Sequence, residues 1–343
     1  MTTLIALPRL PDVREEEGAH TELPEMPALT RLLHRARRLP DAPDWQAGVM
    51  RALGLERVAA ASVAAAALPG LPPDASLCFA APVHVVAGIS RVHLPPGGRL
   101  WPDAAEDAAW RAAFNDEFGA SGAALHAAAG TGSWLLVAPC AAGARDVAPE
   151  LLVGETLGRS PAADDVQRAL RRLGAEVEMW LASHELNRRR EQRSEPVVNA
   201  VWFWGGAQRI ALPQPAALRG IVTHLPGDAW LAGLAAWTGA SLVKAGDWRS
   251  ALGSAPVQGS SAAGAGDGLV LIAPPAPAGE STASYWQGLE EQWFAPAVQA
   301  LENGATHTLR LQLAGTTWQV SRGSMRHWLR WRRRRWWQVG AHP

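Results

Sequence analysis

The sequence predicts an α/β fold, a mixed and mostly parallel sheet flanked by helices with some antiparallel hairpins, from three observations. Its 343 residues, 48% of them hydrophobic, are enough for a large core. Short runs rich in branched residues alternate with longer segments whose apolar residues recur at helical spacing. Two other segments show the two-residue alternation of hairpins. We expect either one continuous domain or two α/β regions, residues 1–150 and residues 151–343.

The N-terminal part begins with a short apolar run, Thr3 to Leu7, which predicts a core strand. Prolines and three adjacent glutamates predict an exposed loop over residues 8–25. Apolar spacing then predicts two helices, Met26 to Arg38 and Trp45 to Leu53, with apolar faces that dock on each other. Beyond them we predict paired strands from Ser76 to Leu94, a helix from Asp103 to Phe118 and a strand from Ser133 to Ala138.

The segment from Ser160 to Gly206 holds most of the polar residues that are candidates for a site. Ser160 as an N-cap and Pro161 at the first helical position predict the start of a long helix. Its apolar stripe consists of Val166, Leu170, Leu173, Val177, Trp180 and Leu181. After a polar elbow, His184 to Arg190, the residues Val197 to Trp204 are typical of a buried strand that ends at Gly205-Gly206.

The C-terminal part continues the alternation of strands and helices. Its glycine-, alanine- and serine-rich segment predicts a flexible loop. The predicted elements are a strand at Leu218 to His224, a helix at Asp228 to Trp237, the loop at Gly253 to Gly268, a strand at Leu269 to Ile272, a helix at Ser281 to Asn303, a hairpin from Thr306 to Ser321 and a basic helix at Met325 to Trp337.

The elbow and the strand after it resemble a known family. The pattern H-x-x-N-x-x-R at His184, Asn187 and Arg190 is followed by P-V-x-N-x-x-W-x-W-G-G from Pro196 to Gly206. Over residues 165 to 206 the chain is similar to an uncharacterised bacterial family related to cofactor-independent phosphoglycerate mutases. More distantly, it resembles the archaeal-type mutases of the alkaline phosphatase superfamily. The resemblance implies the α/β framework of a phosphate-handling enzyme.

Catalysis in that superfamily depends on two metal ions held by aspartates and histidines. The resemblance implies an Asp-Gly motif after the first strand, yet this strand continues into P-R-L-P-D with no glycine after Asp12, and no Asp-His dipeptide occurs. We therefore expect no catalytic residues, no metal and no cofactor, in a degenerate relative that binds a protein partner or a phosphate-containing ligand. The alternative is an active metal-dependent phosphoglycerate mutase or phosphatase with other ligands.

The elbow is the first candidate binding site. His184, Asn187 and Arg190 lie at three-residue steps on one helical face, and a guanidinium group matches phosphate or carboxylate oxygens. The candidate site also includes Asn199, Gly205 and Gly206 at the other junction. The structural alternative is that the elbow residues cap the helix. Asn199 needs a buried partner, for which we expect His184 or Asn187.

The C-terminal segment is the second candidate. No acidic residue follows Glu302, and tryptophans alternate with a basic run, Arg330, Arg332, Arg333, Arg334 and Arg335. Such a segment is a core-packed helix, a surface for a protein or nucleic acid, or a membrane-surface contact. The net charge of +0 gives no global attraction to nucleic acid or membrane. The chain has no signal-like start and no spanning apolar run, so we expect a cytoplasmic protein without transmembrane segments.

Overall fold

The computed structural model describes residues 2–7, 24–42, 45–53, 58–88, 92–127, 130–144, 147–149, 152, 156–157, 162–213, 218–223, 228–244, 269–273, 282–313 and 316–325. The strands are β1 (Thr2–Leu7), β2 (Arg37–Arg38), β3 (Ser76–Val83), β4 (Val86–Ala87), β5 (Val92–His93), β6 (Ala124–Ala127), β7 (Trp134–Val137), β8 (Thr156–Leu157), β9 (Ala200–Gln208), β10 (Leu218–Thr223), β11 (Ser241–Lys244), β12 (Leu269–Ala273), β13 (Thr308–Leu313) and β14 (Thr316–Ser321). The helices are α1 (Pro27–Arg35), α2 (Trp45–Ala52), α3 (Ala60–Ala64), α4 (Ala104–Phe118), α5 (Asp165–Ser183), α6 (Glu185–Gln192), α7 (Ala229–Thr238), α8 (Thr282–Leu289), α9 (Ala295–Asn303) and α10 (Arg322–Met325). This is a mixed α/β fold, as the sequence predicts.

The chain divides into two compact units. Unit 1 contains Met1–Glu56, Gln214–Pro226 and Thr238–Pro343, and unit 2 contains Arg57–Pro213 and Gly227–Trp237. The boundary near residue 150 that we expected from the sequence falls inside the range of unit 2. Each unit therefore draws on more than one stretch of the chain.

Unit 1 is built on a seven-stranded sheet in the order β11-β10-β12-β1-β13-β14-β2. The pairings from β11 to β13 are parallel, whereas β14 and β2 add antiparallel strands at one side. The central strand β1 has no exposed surface from Leu4 to Leu7. A continuous apolar run of this kind is typical of a parallel strand that is covered on both faces.

The two faces of this sheet have different partners. On one face Leu309 and Leu311 of β13 join a core cluster that includes residues of α1, α8 and α9. On the other face Arg310 and Gln312 lie against α2, where Arg310 Nη1 donates to the carbonyl oxygen of Ala52 at 2.6 Å. The prediction that α1 and α2 dock on each other is therefore wrong, because α1 packs with the C-terminal helices and α2 packs on β1, β13 and β14.

A buried carboxylate caps the start of α1. Met26 gives this helix no side-chain cap, and the backbone N–H groups of Ala28 and Leu29 instead donate to Glu290, at 2.5 and 3.1 Å. Glu290 begins a π-helical turn, Glu290–Phe294, that joins α8 to α9. Burial raises the pKa of the Glu290 carboxyl, and the two N–H donors oppose that rise. The long helix predicted from Ser281 to Asn303 is confirmed from Thr282 to Asn303, with this turn inside it.

Helix α1 is shorter than predicted. It ends at Arg35 because Ala36 adopts an extended conformation, with φ −83° and ψ 146°. Arg37 and Arg38 then form β2, in antiparallel pairing with Gln319 and Trp318. Tertiary pairing at the sheet edge thus ends the helix three residues before the predicted position.

Unit 2 contains a four-stranded antiparallel sheet in the order β6-β7-β3-β9 and a small sheet, β4-β5-β8. Four of the six predicted stripe residues of α5 are buried, namely Leu170, Leu173, Val177 and Leu181. Val166 is 42% exposed, however, in the first turn of the helix, which begins at Asp165. Its N-cap is Asp164, whose carboxylate accepts the N–H of Gln167 at 2.7 Å, so the predicted cap at Ser160 is wrong.

Several predicted segments lie outside the described residues: most of the loop at 8–25, the loop at Gly253 to Gly268 and the basic helix beyond Met325. The predicted hairpin is confirmed as β13 and β14, while β6 and β11 were not predicted. Among the helices that the structure describes, none has the length and apolar character of a membrane span.

Two helical glycines in unit 2 provide a matched test of the packing. A Cβ atom at Gly233 of α7 would lie 2.1 Å from the carbonyl oxygen of Val63 and 2.5 Å from Cα of Ala64, whereas one at Gly174 of α5 would meet nothing within 4 Å. We expect Gly233→Ala to lower the free energy of unfolding by about 1–3 kcal/mol. Gly174→Ala should raise it by about 0.5–1 kcal/mol. Urea denaturation checks both values, and equal effects would contradict the packing of α7 on α3.

Candidate functional site

His184 forms the junction between α5 and α6. Its extended backbone, with φ −73° and ψ 140°, ends the first helix, and its Nδ1 accepts the N–H of Leu186 at 3.2 Å. The ring centroid lies 4.9 Å from that of Trp110 and 4.6 Å from that of Trp180. Burial lowers the pKa of His184, and the neighbouring Arg188 acts in the same direction while Glu185 opposes it. His184 is thus the N-cap of α6, and its ring packs against two indole rings that also contact each other.

Asn187 joins the elbow to the strand that follows. Its Nδ2 donates to the carbonyl oxygens of Leu181 and Val198 at 2.8 and 2.7 Å, and its Oδ1 accepts the N–H of Val198 at 2.8 Å. The side chain is buried, so these bonds satisfy backbone groups that water does not reach. Asn187 therefore holds the approach to β9 against the end of α5.

Arg190 is buried and paired with a carboxylate. Its Nη1 donates to both oxygens of Glu106, at 2.7 and 2.8 Å, and its Nε donates to the carbonyl oxygen of Pro196 at 2.7 Å. Glu106 also accepts the indole N–H of Trp110 at 3.2 Å. The side chains of Arg190 and Glu106 are only 8% and 12% exposed. The charge of this guanidinium is therefore already neutralised within the protein.

Asn199 does not contact the elbow residues that we expected as its partners. Its Oδ1 accepts the N–H of Val85, and its Nδ2 donates to the carbonyl oxygen of the same residue, both at 2.8 Å. Next to it, Nδ1 of His84 lies 2.9 Å from the carbonyl oxygen of Val197. The prediction of His184 or Asn187 as the partner is wrong because the antiparallel pairing of β9 with β3 places Asn199 beside the end of β3 instead.

Gly205 and Gly206 lie inside β9, so the prediction that the strand ends at them is wrong. Gly205 has φ +63°, and the register with β3 shifts between Leu77 and Phe79, which is a β-bulge. Gly206 donates its N–H to the carbonyl oxygen of Ala144 at 2.8 Å, and a Cβ atom there would lie 2.6 Å from the carbonyl oxygen of Ala141. The pair allows a bend and a close backbone approach.

These contacts separate the sequence-predicted residues into structural groups. His184, Asn187 and Arg190 meet at the elbow with Trp110 and Glu106. Asn199 instead holds the start of β9 beside the end of β3, and the two glycines allow the bend in β9. The contacts are those of the structural alternative, while binding of an anion at the elbow stays a prediction. The basic run from Arg330 to Arg335 lies outside the described residues.

A cleft that we did not predict lies in unit 1, between α2 and the sheet. This α2 cleft has a volume of about 230 Å³, and its lining residues are Leu39, Gly48, Arg51, Ala52, Arg310 and Thr317. Helix α2 approaches the sheet closely here, because a Cβ atom at Gly48 would lie 2.1 Å from Oε1 of Gln312. The sequence signal for this cleft was the alternation of Arg310 and Gln312 with leucines in one strand. A hairpin strand with one polar face shows the same alternation, so the signal did not indicate a cleft.

The charged groups of the α2 cleft are both cationic. Arg310 donates from Nε to Oε1 of Gln319 at 3.0 Å and from Nη1 to the carbonyl oxygen of Ala52. Burial lowers its pKa. Arg51 donates from Nη1 to the carbonyl oxygens of Pro40 and Asp41 at 2.6 and 2.7 Å. None of the lining residues is an aspartate or a glutamate. The described partners of Arg310 are thus neutral oxygens.

The described residues do not fit a two-metal centre. Nowhere in the part of the chain that the structure describes do three histidine, cysteine, aspartate or glutamate side chains cluster closely enough to hold a metal ion. The ligand set that two-metal phosphoryl transfer requires is therefore not found among these residues.

Comparison with known proteins finds distant structural likenesses. No protein-family model and no curated protein matches the sequence. The cofactor-independent phosphoglycerate mutase from Thermoplasma acidophilum DSM 1728 has a TM-score of 0.41 at 13% identity, over 93% of this chain and 88% of that chain. The PH0037 protein from Pyrococcus horikoshii has a TM-score of 0.49 at 11% identity, over 93% of this chain and 87% of that chain. Likeness at this level assigns no activity.

The contacts of Asn187 predict a loss of stability on its removal. Asn187→Ala leaves the buried N–H and carbonyl groups of Val198 without this partner and removes one of the two hydrogen bonds that the Leu181 carbonyl oxygen accepts, so we expect the free energy of unfolding to fall by about 2–4 kcal/mol. The surface variant Asn303→Ala, which loses one exposed hydrogen bond to Ala305, should lose less than about 1 kcal/mol. Urea denaturation measures both, and a stable Asn187→Ala protein would contradict a structural role.

The lowered pKa of His184 predicts a pH dependence of stability. In the unfolded chain the group titrates near its ordinary value of 6.5, so below this pH the unfolded state takes up the proton first. Stability should be constant above that value and should fall as the pH decreases from it through the folded pKa. His184→Asn keeps an N-cap acceptor without the titration, so its stability should change less between about pH 7.5 and about pH 5. Identical pH profiles of unfolding would refute this assignment.

Proposed function

We propose that this chain is a non-catalytic protein with a phosphoglycerate-mutase-like fold that binds an anionic, phosphate-containing ligand in the α2 cleft. One observation carries the proposal: Arg310 is a half-buried cation whose described partners are a glutamine oxygen and a backbone carbonyl. Arg51 lines the same cleft. Because no carboxylate lines the cleft beside Arg310, this guanidinium makes the cleft a positive site of the size of a small anion.

The energetics favour an anion at this place. Partial burial removes solvation from the guanidinium of Arg310, and neutral acceptors compensate this loss less than a carboxylate does. An incoming phosphate supplies the missing negative charge and accepts two parallel N–H bonds from the planar guanidinium. The proposal therefore assigns to Arg310 the principal ligand contact.

The elbow is a weaker candidate for the same ligand. Arg190 donates to both oxygens of Glu106, so an anion there has to displace this buried ion pair and leave Glu106 without its closest cationic partner. At the α2 cleft an anion adds a charged partner without breaking an ion pair of Arg310. The comparison of Arg190 with Arg310 supports the choice of the cleft.

The non-catalytic part of the proposal rests on the sequence. The first strand is followed by P-R-L-P-D rather than by an Asp-Gly pair, and the chain has no Asp-His dipeptide. Both motifs are implied by the resemblance to the mutases, and their aspartates and histidines hold the metals there. The proposal keeps the cytoplasmic location that the sequence predicts.

Phosphate titration with a matched pair of arginine variants tests the proposal. Arg310→Gln removes the charge in the cleft, and we expect it to weaken binding of inorganic phosphate by about tenfold or more, because a charge-assisted hydrogen bond contributes about 1.5–3 kcal/mol. Arg209→Gln is the control, since Arg209 of unit 2 also donates to backbone carbonyls, those of Leu71 and Pro72. Isothermal titration calorimetry should show unchanged affinity for this control.

Two results would overturn the proposal. Equal losses in the two variants, or no phosphate binding by the unmodified protein, would remove the α2 cleft as the site. Turnover of a phosphoglycerate or another phosphate ester by the purified protein with manganese or zinc would remove the non-catalytic assignment. Thermal unfolding of Arg310→Gln shows whether the variant is folded, and Arg310→Lys, which keeps the charge, should recover part of the affinity.

A further inference from the structure

Three strands align a row of polar side chains on the face that carries the α2 cleft. Arg310 of β13 is paired with Gln319 of β14, and Gln319 is paired in turn with Arg37 of β2. Residues that are directly opposite in neighbouring strands project from the same face of a sheet. Arg37 therefore projects from the same face as Arg310, with Gln319 between them.

Leu39, two positions after Arg37, shows that this face of the sheet carries the α2 cleft. Leu39 continues the pairing of β2, because its N–H donates to the carbonyl oxygen of Thr317 at 2.8 Å. Leu39 also lines the α2 cleft. Side chains two apart in extended chain share a face, so Arg37 stands at the rim of the cleft that Leu39 lines.

The two arginines of β2 differ in their partners. Arg38 projects to the opposite face, where its guanidinium lies 5.8 Å from the ring centroid of Trp318 and is paired with Asp41 at 2.7 Å. Within the described residues the side chain of Arg37 has no hydrogen-bond or ion-pair partner, and it is exposed. The rim of the cleft therefore carries a cation available to a ligand.

Arg37 and Arg310 are separated by one intervening strand. Neighbouring strands lie about 4.8 Å apart, so the two backbones are about 10 Å apart. A single phosphate bound to Arg310 in the cleft leaves the exposed Arg37 at its edge, where a solvated charge contributes little. A ligand with a second anionic group at its other end reaches both.

We infer that the ligand of the α2 cleft carries two separated anionic groups, as in a small bisphosphate. One group binds Arg310 inside the cleft, and the other binds Arg37 at the rim. The inference rests on the proposed function, because it names the class of ligand for the same site. Arg37 then determines the specificity for the length and charge of the ligand, while Arg310 provides the contact that every anionic ligand of the cleft requires.

The test compares two ligands that differ in one phosphate. Butyl phosphate and butane-1,4-diyl bisphosphate are titrated calorimetrically into the full chain. We expect the unmodified protein to bind the bisphosphate at least about fivefold more tightly than the monophosphate, because the bisphosphate forms one additional, partly exposed ion pair. Arg37→Gln should abolish this preference and leave the affinity for butyl phosphate within about twofold.

A neighbouring variant controls for net charge. Arg38→Gln removes the same charge one residue away on the opposite face, and it should keep the preference for the bisphosphate. An equal loss of preference in Arg38→Gln would show a general charge effect and overturn the inference. Binding of both ligands with no preference would also overturn it while leaving the proposed function standing. Failure of the unmodified protein to bind either ligand would remove both.

Discussion

The parallel pairing of β1 with β12 and β13 is the constraint on which unit 1 depends. Thr2 is opposite Leu269 on one side and Thr308 on the other, so one short buried strand joins segments that are far apart in the chain. Ile5 and Leu7 extend the apolar core towards α1, α8 and α9 on one face. The opposite face then receives α2, and the register of β13 against β1 fixes where Arg310 stands. The α2 cleft is thus a consequence of sheet register more than of any local motif.

The arginines of this protein show that local surroundings decide what a residue type does. Arg190 is buried and Arg310 is half-buried, and both donate to backbone carbonyls. Arg190 has in addition a bidentate carboxylate partner, Glu106, which turns it into part of the packing between α4 and the elbow. Arg310 has neutral partners among the described residues, so an external anion would bind more favourably to Arg310 than to Arg190. The same side-chain type thus forms a buried ion pair in one unit and is the proposed ligand contact in the other.

Local patterns predicted much of the fold. Apolar periodicity located α4, α5 and the helix from Thr282 to Asn303, and alternation located the hairpin of β13 and β14. The errors lie where a distant segment decides: Arg37 and Arg38 leave α1 because β14 pairs with them, and Asn199 bonds to Val85 because β9 pairs with β3. The α2 cleft could not be predicted for the same reason, since its lining comes from three stretches that only the sheet register brings together.

The central place of β1 also has a consequence for the order of events during synthesis. The ribosome completes β1 long before it makes β12 and β13, and the whole of Arg57–Pro213 is translated in between. The apolar run Leu4 to Leu7 therefore stays unpaired until β12 and β13 have been made. Pairing of these strands is a late, non-local folding step, and such steps are slow. A nascent chain that stops before Thr308 lacks Arg310, so the proposed ligand site forms only after this strand has been made.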